Sequence, residues 1–209
     1  ARAYEWLGDH QLAAELYSDA AATESELRAD CLRREQLNRQ IAELQTIDPE
    51  EMMIEDMVIE IERRSDLLKV FVENTDDELF KSFGMRAAEN LDVLRAEILA
   101  TNRFILQEGE EGAIEAMRQV IISHPESARR FEHALRLARF YRTLAEEEIR
   151  LHPPTGFEFK PQRALLFIDE SLDLLYRVSQ ADGFPEKIIA QKELDTVLTL
   201  KELTVRESR

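Results

Sequence analysis

Apolar residues recur along this chain three and four positions apart, the period of helices that bury one stripe and solvate the rest. At the start, Ala3, Tyr4, Leu7, Ala13, Ala14, Leu16, Tyr17, Ala20 and Ala21 place small residues among aromatics, and Gly8-Asp9 interrupts them. Two short, closely packed helices are expected over residues 2–22. A longer amphipathic helix is predicted from about Ser25, where Leu27, Cys31, Leu37, Ile41 and Leu44 recur. Asp48-Pro49 ends it and opens the next, with Asp48 as cap, proline at the first helical position and Glu51 three residues after the cap. Ile54, Val58, Ile61, Leu68 and Val72 then share a face.

Asn74-Thr75-Asp76 reads as a capped turn, followed by a short apolar helix with Leu79, Phe80 and Phe83 that stops near Gly84. A long helix from Met85 to about Gln107 carries Ala88, Leu91, Leu94, Ile98 and Ile105 as its stripe. Gly109 and Gly112 bracket a loop, Ile114, Met117 and Ile121 mark a short helix ending at Ser123-His124, and Pro125 opens another over residues 126–151. There Phe131, Ala134, Leu135, Ala138, Tyr141 and Ala145 fall within one arc. Three prolines and a glycine between His152 and Pro161 form the strongest break in the chain. Leu165, Ile168, Leu172 and Leu175 build the next stripe, Asp182-Gly-Phe-Pro185 turns, and Leu194, Val197, Leu198 and Val205 close the last helix. The fold class is therefore all-α, a helical bundle of eight to nine helices. Residues 1–151 form one helical region and 162–209 a C-terminal hairpin packed on it, one continuous domain with a Pro-rich loop at 152–161.

Composition agrees. Apolar residues make up 44% and charged residues 33% of 209, with only 6 Gly and 6 Pro to interrupt helices. A net charge of −16 makes nucleic acid an unlikely partner, because phosphate-backbone affinity is built from neutralising cations. The acidity is concentrated at residues 43–78, where 13 acids face only Arg63, Arg64 and Lys69. That stretch is either a solvated face or a docking face for a basic partner. Cys31 is the one cysteine, which excludes an internal disulfide and points to a reducing compartment. No window is apolar enough to span a membrane, so the expectation is cytoplasmic. A chain that opens at Ala1 without an initiator Met leaves room for an upstream anchor, which would put it at the cytoplasmic face of a membrane.

Catalytic motifs are missing. There is no G-x-S-x-G, Walker loop, G-x-G-x-x-G or H-E-x-x-H. None of His10, His124, His133 or His152 follows a Glu by three residues, which removes the di-iron bundle unit. Gly109-Glu-Glu-Gly112 has the spacing of a KH clamp but acids where phosphate would sit. Glu146, Glu147 and Glu148 are consecutive on a helix and diverge. No catalytic residue, cofactor or metal is assigned. The one basic concentration is Arg129, Arg130, His133, Arg136, Arg139 and Arg142, which repeats every three positions from 130 onward and winds round its helix. These residues either pair with Glu132, Glu146 or the acidic stretch 43–78, or they contact an anion or partner.

Two resemblances accompany these patterns. The run from Tyr4 to Ala20 resembles the centre of a tetratricopeptide repeat (TPR), with Gly8, Asp9, Ala13, Tyr17 and Ala20 on the motif and His10 in place of its usual aromatic. No second copy begins near residue 42, so this is either the last repeat of an array or a single helical hairpin. Ser123-His-Pro125-Glu-Ser-Ala-Arg129-Arg130-Phe131, with Ile168-Asp169, Leu172, Leu175 and Leu194-Asp195-Thr-Val197-Leu198, resembles the XpaC-type family (5-bromo-4-chloroindolyl phosphate hydrolysis proteins) over residues 85–205. That resemblance implies a helical, membrane-associated bacterial protein. His124 departs from the family's acid, and no nucleophile or metal ligand accompanies the arginines, so no activity is carried over.

The expectation is a bacterial scaffold or assembly factor that binds protein or peptide, through a groove lined by Tyr4, Trp6 and Tyr17 or through the arginine helix. The alternatives are an XpaC-like anion- or phosphate-binding protein and a structural homo-oligomer joined through the apolar 52–72 helix.

Overall fold

The computed structural model describes residues 1–23, 26–47, 52–153 and 161–207. Among these the fold is all-α with nine helices and no strand. The chain divides into two compact units, Ala1–Asn102 and Arg103–Arg209. The division falls after the fifth helix. Asp48, Pro49 and Glu51, and most of the Pro-rich stretch, lie outside the described residues.

The first unit contains α1 (Arg2–Leu7), α2 (His10–Ala22), α3 (Arg28–Gln45), α4 (Ile54–Asn74) and α5 (Glu78–Thr101). Gly8 ends α1 with a left-handed φ of 81°, and the Asp9 carboxylate accepts the Leu12 N–H at 3.1 Å to cap α2. Ala13 and Ala14 are buried, and these small side chains let α2 lie close on α3. α4 packs chiefly on α5, and α3 touches both. Ile41, Ile61, Leu68, Phe80, Phe83, Ala87, Ala88 and Leu91 form the core of the unit. Each large aliphatic among them contributes on the order of 1.5–3 kcal/mol by leaving water.

The second unit contains α6 (Gly109–Ser123), α7 (Arg130–Leu151), α8 (Pro161–Ser179) and α9 (Glu186–Glu207). α7 packs on α8 and more lightly on α6 and α9, and α8 pairs with α9. Leu135, Ala138, Tyr141, Leu144 and Ala145 of α7 and Phe167, Ile168 and Leu175 of α8 are buried, and the Tyr141 and Phe167 rings stack with centroids 6.1 Å apart. The buried Ser171 hydroxyl donates to the Ala138 carbonyl at 2.8 Å, tying α8 to α7.

Several boundaries differ from the sequence reading. The helix does not stop at Gly84: α5 runs through it. A Cβ at that position would lie 2.7 Å from Val72 Cγ2 and 3.0 Å from Phe71 Cδ1, so the glycine marks a close approach of α4 rather than a break. α5 also ends at Thr101 instead of Gln107, leaving Ile105 exposed beyond it. Gly109 and Gly112 do not bracket a loop; α6 begins at Gly109 and contains Gly112. Pro125 opens no helix, since residues 125–129 form turns and α7 starts at Arg130.

Candidate functional site

The arginines of α7 do not converge. Arg129 is the residue preceding the helix, its N–H accepted by the Ser127 hydroxyl at 3.0 Å, where the sequence reading has the helix already running from residue 126. Its guanidinium donates to Glu132 at 3.1 Å, and Arg136 reaches the same carboxylate at 3.1 Å. The hydrogen bond from Arg129, with the charge of both arginines, holds the Glu132 carboxyl below its ordinary range. Arg139 donates through two nitrogens to Glu193 on α9, at 2.9 and 2.6 Å. Arg142 pairs with Glu146 at 3.2 Å. Arg130 lies over the rings of Phe131 and Phe184, 4.7 and 4.8 Å from their centroids, and so clamps the α8–α9 turn. His133 is buried with the core side of the helix. Neighbouring acids are occupied in the same way, with Glu147 taking Arg103 at 2.6 Å and Glu148 lying 3.2 Å from His152 and 3.6 Å from Arg163.

The aromatics of the first hairpin are equally divided. Trp6 is 65% exposed, with its ring edge-on to Phe83 at 5.7 Å, and Tyr4 is partly exposed. Tyr17 is buried, so it is not the wall of an open groove shared with them. Burial, then the Glu5 charge, push its hydroxyl above its ordinary pKa.

What surrounds Tyr17 is a buried polar cluster that the sequence reading missed. Glu5 on α1 is fully enclosed and accepts from Arg34 at 3.1 Å and from the Asn38 amide at 2.8 Å. Asn38 Oδ1 meets His10 Nδ1 at 2.7 Å, which joins α1, α2 and α3 through four polar side chains. The Arg34 guanidinium also sits over the Tyr17 and Phe80 rings, at 5.9 and 5.8 Å. Desolvation keeps the His10 imidazole below its ordinary pKa, although its hydrogen bond to Asn38 and the nearby Glu5 and Asp9 oppose the shift. Glu5, His10 and Asn38 are buried and Arg34 is largely so, and the cluster fastens the three helices to one another. Its sequence signal was weak, four polar residues at helix positions that read as surface.

An open groove does exist in this unit, between α3 and α4. Leu37 and Leu44 form one wall and Leu67, Val70 and Phe71 the other, with Gln40, Glu43, Asn74 and Thr75 among its polar lining. Its volume is about 450 Å³, within the ~300–1,000 Å³ usual for binding clefts. Leu67 is 39% and Val70 49% exposed, an apolar stripe outside the one that α4 buries on α5. A smaller depression of about 330 Å³ in the second unit is edged by Glu111, Glu115, Arg118 and Glu170 over Tyr141 and Phe167. There Arg118 donates to the Tyr141 hydroxyl at 2.6 Å and lies 3.4 Å from Glu170.

Among the described residues no group of three or more His, Cys, Asp or Glu is placed to hold a metal ion, and no helix is long and apolar enough to cross a membrane. No protein-family model, curated protein or solved structure matches this chain.

Proposed function

We propose that this protein is a helical interaction module that binds a segment of another protein, as a scaffold or assembly factor does. One observation carries the reading: the α3/α4 groove presents half-exposed Leu67 and Val70 opposite Leu37 and Leu44, with polar residues at its margins. An apolar trough between two helices is the receptor geometry for an amphipathic helix. The TPR-like hairpin of α1 and α2 is then a packing element, since its buried Tyr17 and Glu5 face α3, where Glu5 accepts from Arg34 and Asn38.

The anion-binding alternative would place phosphate on the α7 arginines. Glu132, Glu193 and Glu146 already sit on Arg129, Arg136, Arg139 and Arg142, so an anion would have to displace carboxylates from each. The arrangement favours a structural role for that helix.

The test is selection of displayed peptides on the whole chain, followed by binding to Val70→Asp. Peptides that bind the parent and lose affinity for Val70→Asp support the reading. Selected peptides that bind both equally, or a selection that yields none, would sink it.

A further inference from the structure

The α3/α4 groove has a charge as well as a shape. Glu43 stands in its wall. Glu73, exposed on α4, follows Val70 by three residues, and exposed Asp76 comes directly after Thr75. The last turn of α4 carries no basic residue, so the carbonyl end of its dipole adds to the negative potential at that end of the groove. Nearby cations are engaged by other acids. Arg63 and Arg64 bind Glu60 at 2.7 and 2.6 Å, which holds that carboxyl at about 2, and Arg64 also caps the carbonyls of Glu43 and Thr46. Lys69 lies 3.2 Å from Asp66 and 3.6 Å from Asp92, and Arg33 lies 3.9 Å from Asp77.

We infer that the occupant of this groove is a basic amphipathic helix from another protein, its apolar residues seated on the Leu67–Val70 wall and its Lys or Arg flanks against Glu43, Glu73 and Asp76. The inference rests on the interaction-module reading and specifies its partner class. Apolar contact supplies affinity, while the acidic margin selects partners by sign and speeds their approach. A second copy of this chain is a poor occupant. With a net charge of −16, self-association brings like charges together. The arginines at the start and middle of α7 are already held by acids of this chain, Arg129 and Arg136 by Glu132 and Arg139 by Glu193 of α9.

The probe is a fluorescein-labelled amphipathic peptide with leucines at i, i+4 and i+7 and lysines on both flanks. Its twin carries glutamates in place of the lysines. Binding to the full chain is read by anisotropy at low and high salt, alongside light scattering of the protein alone. The expected result is a preference of about 10-fold or more for the lysine peptide at low salt, shrinking as salt is added. The preference should reverse in the double variant Glu43→Lys with Glu73→Lys, and both affinities should fall in Val70→Asp. Val70 and the two glutamates are exposed, so these changes spare the core, and circular dichroism checks that they do. Equal binding of the two peptides, both weakened by Val70→Asp, overturns the basic-partner inference and leaves the interaction module standing. Failure of both peptides to bind, or binding that ignores Val70→Asp, overturns the inference together with the groove. A dimer of the parent chain that Val70→Asp dissociates assigns the groove to a second copy and also overturns it.

Discussion

Replacing Asn38 by leucine isolates the polar cluster that joins the first three helices. The Asn38 side chain is fully buried, donates to Glu5 at 2.8 Å and to the Arg34 carbonyl at 2.8 Å, and meets His10 at 2.7 Å. Leucine has a similar volume and no polar atom. The His10 ring nitrogen and one Glu5 oxygen would then be buried without those partners, at ~1–3 kcal/mol each. New apolar burial returns about 1 kcal/mol. The net expectation is a loss of about 1–5 kcal/mol. Trp6, the chain's one tryptophan, lies in α1 with its ring on Phe83, so its emission follows the seating of that helix. A urea titration at Trp6 should show a lower midpoint with an unchanged slope. Adding Glu5→Leu to Asn38→Leu should cost less than the two separate losses combined, because the groups interact directly. A loss below about 1 kcal/mol for Asn38→Leu, or strict additivity in the double variant, would refute the claim that this cluster is a coupled fastening.

Other consequences are more local. The His10 imidazole is held below its ordinary 6.5, chiefly by burial. Below that pH the unfolded chain takes up a proton that the folded hairpin resists, so this contribution is complete above about 6.5 and is lost as pH falls through the lower folded value. Urea midpoints at Trp6 should therefore decline on acidification, less steeply in His10→Gln. Gly84→Val sets a branched side chain where a Cβ already lies 2.7 Å from Val72 and 3.0 Å from Phe71. An overpacking cost of ~1–3 kcal/mol should appear as a lower Tm, while Gly84→Ala costs less because helix propensity returns about 1 kcal/mol. Arg139→Ala removes an ion pair whose arginine is 49% exposed, and calorimetry should find less than about 1 kcal/mol lost.

Helix existence was legible because a 3.6-residue period survives many individual substitutions. Boundaries were not, because the same residue types serve two purposes. Gly84 and Gly112 look like stops in the sequence, yet both lie inside helices, and Gly84 is where α5 lies against Phe71 and Val72. Gly8-Asp9 read correctly because a left-handed glycine and an N-cap acid reinforce one another locally. The buried cluster escaped because its members come from α1, α2 and α3, and no local rule says that Glu5 and Asn38 turn inward. The groove escaped for a related reason. Leu67 and Val70 lie on α4 away from the stripe of Ile61 and Leu68, and an extra apolar stripe becomes visible only once the first has found its partner.

The arginine helix shows how the helical period distributes a concentration of charge in sequence. A repeat of three residues falls about 60° short of a turn at each step, so from residue 130 to residue 142 the side chains sweep about 240°. Such a row cannot gather on one ligand. It reaches several neighbours in succession: Arg130 meets Phe184 in the α8–α9 turn, His133 enters the core, Arg136 returns to Glu132 and Arg139 crosses to Glu193 on α9. Anion binding needs donors that converge, and a spacing of three and four along one face would have supplied them. The α3/α4 groove meets the corresponding condition for a basic helix, since Leu67, Val70 and Phe71 lie on one side of α4 with Asn74 beside them, and Glu43 faces them from α3. Convergence of side chains, rather than their number, distinguishes the α3/α4 groove from the row of arginines along α7.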